Sequence, residues 1–437
     1  MKTLMPTGKS LITGLLFSGL LVIACNSEKK DLKIEDQLVV ERQAAEFEPQ
    51  RSVWLIWPPT DHKATLSNAS VVIEILEKLT PHTPVNLTFS NDSLVKNALE
   101  MMVARDIDTS NVDISVLPSE EFWTRDMGPN FVELEDGRKA IVDFDFNAWG
   151  YTPADSPDAY TIRMEQFDSL IARKLDLPII KSDLISEGGN REVNGKGVLM
   201  LSEVVEKGRN PEWSREQMEH EFQRVLGVDD VIWLKEGLLE DRHTFLGPLT
   251  LEDGSNAYTV VTTNGHTDEF ARFVNDSTIM LASVKEEDLE DPIAAENKKR
   301  MDENLKILQA SKDQDGKPFH IIRMPLPKTV VTSMKPGDPV YDYIETLEFT
   351  DGSSFPKGET VQVVAAASYL NFLITDKVII GQKYYREGMD LSVRERDREA
   401  DSILRSAFPD REIIMIDALP VNLGGGGIHC ISMHEPQ

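Results

Sequence analysis

Short apolar runs with strand character recur from Val53 to Ile416 and alternate with segments whose apolar residues fall at helical spacing. Residues 53–57, 85–89, 112–117, 140–146, 198–201, 258–263, 361–366 and 413–416 are predicted strands, being brief and rich in β-branched and aromatic side chains. Val72, Ile75, Leu76 and Leu79 follow a candidate cap at Asn68, and Met218, Phe222, Val225 and Leu226 run into a stop at Gly227. Met301, Leu305 and Leu308 make a third helical face, and Ile403, Leu404 and Ala407 a fourth. The pattern is mixed α/β. Neither a linker nor a visible sequence repeat divides the middle of the chain, which favours a single domain. Two stretches, 238–255 and 333–359, read as insertions or long loops, and loops of that length are candidates for a lid.

The beginning of the chain follows a different logic. Lys2 and Lys9 precede a short apolar stretch, 11–23, and Val22-Ile23-Ala24-Cys25 closes it. This resembles a bacterial lipoprotein signal and is too short to span a bilayer. It predicts a signal peptide over 1–24, lipidation at Cys25, a flexible tether over 25–46 and a catalytic domain over 47–437. The expected location is extracytoplasmic, on a membrane through the lipid anchor. The formal charge of the 437 residues is −28, and loss of the leader takes it to −30. Such a balance repels nucleic acid and favours cationic small molecules or basic peptides, although taken by itself it is better explained by solubility.

Chemistry concentrates in a few dense stretches. Leu423-Gly424-Gly425-Gly426-Gly427-Ile428-His429-Cys430 ends on a thiol, and Cys25 is the only other cysteine. A lone cysteine after a glycine turn is a candidate nucleophile when a histidine and carboxylates lie elsewhere. Trp123-Thr124-Arg125-Asp126-Met127-Gly128-Pro129 places Asp126 on a loop near a strand end. In Asn264-Gly265-His266-Thr267-Asp268-Glu269-Phe270, a strand continuing through the segment would project His266 and Asp268 from one face. Glu187-Gly188-Gly189-Asn190 presents an acid on a glycine turn, and Asn371 sits between apolar residues. Taken singly, each of these is equally a structural turn or ion pair. His266, Asp268, Glu187 and Cys430 are metal-ligand types, yet their spacings match no common site, so neither metal nor cofactor is expected.

Taken in order, WTRDMGP, EGGN, NGHTDEF, SYLNF and GGGGIHC resemble the motifs of agmatine deiminases and of the bacterial peptidylarginine deiminases. The resemblance begins at Phe47-Glu48-Pro49 and covers essentially the whole chain after the leader. It implies a pentein-type α/β-propeller, a ring of ββαβ units in rough fivefold arrangement with the site at its centre. It also implies Cys430 as nucleophile, His266 as general acid/base, and Asp126 and Asp268 as the carboxylates that hold a guanidinium. Glu187, Asn371 and Trp123 are the further substrate-binding positions, Asn371 in a supporting role. The implied reaction turns a guanidino group into a ureido group with release of ammonia, through a thiouronium on Cys430, with agmatine as substrate. Peptidylarginine or free arginine, amidino transfer, and a non-catalytic guanidine-binding lipoprotein are the alternatives. The chain departs from the family where Gly427 replaces an asparagine, and again in Ile431-Ser432-Met433-His434 after the cysteine.

Overall fold

Five sheets repeat one pairing scheme: an antiparallel pair of strands, then a helical crossover, then a third strand parallel to the second. The computed structural model describes residues 38–437, and the predicted signal peptide, Cys25 and the start of the tether lie outside them. In the second unit Asn130–Leu134 and Lys139–Asp145 lead through two helices to Ile179–Ile185. The third unit uses Glu192–Val193, Val198–Ser202 and Asp230–Leu234. The fourth uses Ala271–Asn275, Thr278–Ser283 and His320–Pro325, and the fifth Leu373–Ile374, Val378–Gln382 and Glu412–Ile416. The first unit takes its opening strand from the other end of the chain: Ser432–Pro436 pairs antiparallel with Gln50–Ile56, which continues to Val85–Phe89.

The crossover helices form where the apolar spacing predicts them. Asn68–Leu79 buries Val71, Val72, Ile73, Ile75, Leu76 and Leu79, each worth roughly 1.5–3 kcal/mol relative to exposure. Its cap is Ser67, one residue before the predicted Asn68, which is itself the first helical residue and fully buried. Arg215–Leu226 starts with a Ser214/Gln217 capping box and stops at Gly227, whose left-handed φ of 63° a side chain would strain.

Two predicted features take a different form. Of the segment read as tether, Val40–Arg42 forms a strand on the edge of the second unit, and Glu46 is largely buried. Neither fits a solvated linker: Arg42 pairs with Glu48 and Glu133, and Ala44 and Ala45 are buried. The stretches 238–255 and 333–359 contribute to a sixth sheet, Leu249–Thr250, Asn256–Thr259, Val361–Val364 and Val331–Met334, packed over Tyr341, Ile344 and Phe355. Among the described residues no helix is long and apolar enough to cross a membrane.

Candidate active site

Each unit delivers the segment just ahead of its first strand to one shared place. Asp126 lies in the helical turn Thr124–Met127 before Asn130–Leu134, and Glu187 leads into Glu192–Val193. His266 and Asp268 precede Ala271–Asn275, Asn371 precedes Leu373–Ile374, and Cys430 precedes Ser432–Pro436. Five entry segments, separated by tens to hundreds of residues, therefore supply every chemical group predicted from the motifs.

Cys430 Sγ receives a hydrogen bond from Asn371 Nδ2 at 3.0 Å and lies 3.6 Å from Asp268 Oδ2 and 3.8 Å from Glu269 Oε1. Gly189 marks where the other groups converge. A Cβ there would stand 2.6 Å from His266 Nδ1, 3.0 Å from Asp126 Oδ1 and 3.1 Å from Asp268 Oδ2, so only glycine leaves the space open. The backbone N–H of Gly189 donates to Asp126 Oδ1 at 2.8 Å, and Trp149 Nε1 donates to Asp126 Oδ2 at 2.8 Å.

His266 and Asp268 meet by a route other than the predicted one. The strand expected over 258–263 stops at Thr259; His266 caps a tight turn, Thr267–Glu269, and Asp268 lies within it. Asn264 and Gly265 both adopt left-handed φ, 75° and 107°. The backbone N–H groups freed from the sheet go to Asp241, which accepts from Thr263 at 3.1 Å and from Gly265 and His266 at 2.9 Å each. A buried carboxylate thus does what strand pairing would have done.

The electrostatics of the site favour a cation beside its carboxylates. Burial would lower the pKa of His266, but Asp126, Glu187 and Asp268 raise it to about 9. Glu187 Oε2 is 3.5 Å from His266 Nε2, while Oε1 accepts from Arg209 Nε at 2.7 Å. Burial works against ionisation of Glu187, yet Arg209 and His266 hold it down to about 2. Asp126 is pushed up by burial and by Asp268 and Glu187, with His266 opposing. Burial, then Asp268, Glu269 and Asp126, push the Cys430 thiol well above its usual range. Among the described residues, four buried atoms here make no hydrogen bond: Asp268 Oδ1, Glu187 Oε2 and both ring nitrogens of His266. Leaving such atoms unsatisfied costs about 1–3 kcal/mol each. The N–H donors of a bound guanidinium would satisfy a carboxylate oxygen such as Asp268 Oδ1, but not the ring nitrogens of a protonated His266.

Asp126 and Cys430 form the floor of a cavity of about 420 Å³. Its wall carries Trp123, Trp149, Tyr151, Tyr160 and Tyr343, together with the partly buried Glu121 and the exposed Asp61 and Asp158. Among the described residues no lysine or arginine lines it, and burial lowers the His62 pKa to about 4, so that ring adds no charge at neutral pH. Trp123 stacks on His62 with ring centres 5.5 Å apart and meets Trp149 edge-on. Glu187, His266, Asp268 and Asn371 are fully buried behind this floor. Asp268, Glu269 and Cys430 also bring metal-ligand atoms within 4.8 Å of one another, although His429 and Asn371 already engage the two carboxylates.

The glycine run places the thiol. Gly425 adopts a φ of 111°, and a Cβ at Gly427 would lie 2.5 Å from both Asn371 Oδ1 and Gln382 Nε2. The departure at Gly427 therefore fits this chain's own packing, in which Asn371 Oδ1 accepts the backbone N–H of His429 at 2.9 Å. Sequence reasoning missed Asp241, Arg209, Glu269 and Trp149. Of these only Glu269, inside NGHTDEF, carried a motif signal.

The family model for Porphyromonas-type peptidyl-arginine deiminases matches residues 42–246 and 249–436. The chain belongs to this family. The deiminase is 30% identical over 403 residues to the agmatine deiminase of Stutzerimonas stutzeri, covering 90% of this chain and 94% of that one. It is 28% identical over 406 residues to the agmatine deiminase of Pseudomonas aeruginosa, covering 90% and 95%. The solved agmatine deiminase of Enterococcus faecalis superposes with a TM-score of 0.68 at 25% identity, over 91% of this chain and 96% of that one. At 20% identity the agmatine deiminase of C. jejuni shares the fold, with a TM-score of 0.62 over 92% and 98%. The deiminase is an α/β-propeller of the pentein type and a hydrolase acting on C–N bonds.

Proposed function

We infer that the protein hydrolyses the guanidinium of agmatine to N-carbamoylputrescine and ammonia, with Cys430 as the attacking group. The observation that carries this reading is the meeting of His266, Asp126 and Asp268 around one glycine-sized space, with Cys430 Sγ beside Asp268, beneath a cavity that no lysine or arginine of the described residues lines. A guanidinium placed there is gripped through its N–H groups by Asp126 and Asp268. Its charge offsets the carboxylates that keep the thiol protonated, so substrate itself favours the thiolate.

The thiolate then forms a bond to the guanidinium carbon. As the C–N bond to one terminal nitrogen breaks, His266 gives that nitrogen a proton and ammonia leaves, with the carbon held as a thiouronium on Cys430. Neutral His266 next takes one proton from water as the oxygen bonds to carbon. The C–S bond then breaks while the remaining hydroxyl proton passes to the departing sulfur, which returns the Cys430 thiol and a ureido product. Asn371, at 3.0 Å from Sγ, stabilises the thiolate of the first half. Glu187, paired with Arg209, keeps His266 protonated for the first half.

The outer wall supports agmatine over free arginine. With the guanidinium on the floor, the far end of the substrate lies among Asp61, Glu121 and Asp158, which suit an ammonium and repel an α-carboxylate. Glu121 is the half-buried member: burial raises its pKa to about 7, although Tyr160 donates a hydrogen bond to it at 2.6 Å. Peptidyl arginine is the second reading, carried by the description of the matching family. Ammonia and ureido-product release from agmatine, arginine and an internal-arginine peptide in parallel tests these readings. Product from the peptide alone would replace agmatine, and silence toward all three would remove the hydrolase. The leader and Cys25 support a lipid-anchored, extracytoplasmic location; membrane release of a Cys25→Ala protein tests it.

A further inference from the structure

Behind Asp268 runs a chain of buried charges in which the proposed chemistry has no part. His429 Nδ1 lies 2.6 Å from Asp268 Oδ2, and His429 Nε2 lies 2.7 Å from Glu46 Oε1. Glu46 is in turn held by Arg125 at 2.5 Å and Arg272 at 2.7 Å, and Arg272 pairs with Glu192 at 2.6 Å. His429 and Arg272 are almost completely buried, and Arg125 nearly so. Against the burial that would raise them, these partners hold Asp268 below the usual carboxylate range and Glu46 well below it. Carboxylate oxygens only accept, so two of them facing one ring call for two N–H groups, which only the imidazolium has.

We propose that Glu46 is a positioning residue for the reaction, fixing Asp268 through a doubly protonated His429. The inference rests on the deiminase reading, in which Asp268 grips the guanidinium. The strut pins Oδ2 of Asp268, leaving Oδ1, which has no partner among the described residues, to meet substrate. It also sets the 3.6 Å spacing between that carboxylate and the Cys430 thiol. The N-terminal segment that carries Glu46 is therefore part of the active site, contributed from outside the five entry segments. Asp126 has no such strut: its oxygens are held by a backbone N–H and by Trp149.

The test is a double-mutant cycle on the full-length protein with two readouts. The first is the Kd of agmatine by calorimetry in a Cys430→Ala background; the second is the rate at which iodoacetamide alkylates Cys430, followed on the Cys430 peptide by mass spectrometry. Glu46→Gln is expected to weaken agmatine and to change the alkylation rate by about threefold or more, the lower end of coupling between contacting residues. In the Asp268→Asn background both effects should vanish. Equal factors in both backgrounds, or no effect in either, would overturn the proposal, because a purely structural loss does not depend on Asp268. Should Glu46→Gln fail to fold, His429→Gln runs the same cycle from the middle of the strut. Absence of agmatine binding by the Cys430→Ala parent would discard agmatine as substrate, and the alkylation cycle would still decide the role of Glu46.

Discussion

The floor of the cavity and its wall hold their charged groups in different ways. Directly behind the floor, Asp268 is tied to His429, Glu187 to Arg209, and the backbone of His266 to Asp241, all in full burial. On the wall, Glu121 has a single hydrogen bond from Tyr160, and Asp61 and Asp158 are exposed. Buried, multiply tied charges have one geometry and act strongly, whereas wall charges share their field with water. The floor therefore fixes the reaction and the wall selects what enters.

Substitutions can break that contrast at graded depths. Cys430→Ala should abolish ammonia release while agmatine binding stays measurable by calorimetry; residual turnover would remove Cys430 as nucleophile. His266→Asn should lower kcat by about 10²- to 10⁴-fold, the usual contribution of a positioned acid/base, with a smaller change in KM. Glu121→Gln, on the wall, should raise KM for agmatine about tenfold with kcat nearly unchanged, and should leave methylguanidine, which lacks the second cation, unaffected. An equal loss with both compounds would move Glu121 from selection to structure.

A further expected effect is on stability rather than on turnover. His266 has a folded pKa of about 9, above its unfolded value, so its contribution is fully present below about pH 6.5 and is lost as pH rises through 9. The urea midpoint of the substrate-free protein should fall across that window, by an amount on the order of 3 kcal/mol in stability, and His266→Asn should flatten the slope. A midpoint that stays level in wild type would mean that Asp126 and Glu187 do not charge the ring.

Much of this was legible in the sequence, for reasons that particular residues show. All eight predicted strand runs contain strands, because short β-branched apolar segments fit a pleated, at least half-covered surface; Val112–Val116 does so with none of its residues fully buried. The five equivalent units were not legible without the family resemblance. They repeat a pairing order, and 192–193 or 373–374 are too short to leave a periodic signal. At the site, Cys430, His266, Asp126, Asp268 and Glu187 announced themselves through glycine turns and rare neighbours. Glu46 did not, since an acid within a charged, polar stretch looks solvated until its partners at 125, 272 and 429 are in view. Asp241 was hidden for the same reason, its partners being backbone N–H groups 22 to 25 residues away.

The antiparallel pairing of Ser432–Pro436 with Gln50–Ile56 carries a consequence for how the molecule is made. The first unit waits for a strand synthesised some 380 residues after its neighbour. Contacts so distant along the chain form late, and a growing chain meanwhile exposes the edge of 50–56. Cys430 lies two residues ahead of the arriving strand, so ring closure and placement of the thiol are one event. A chain cut short before 432 is therefore expected to release no ammonia, since the strand that holds the segment after Cys430 in place is missing.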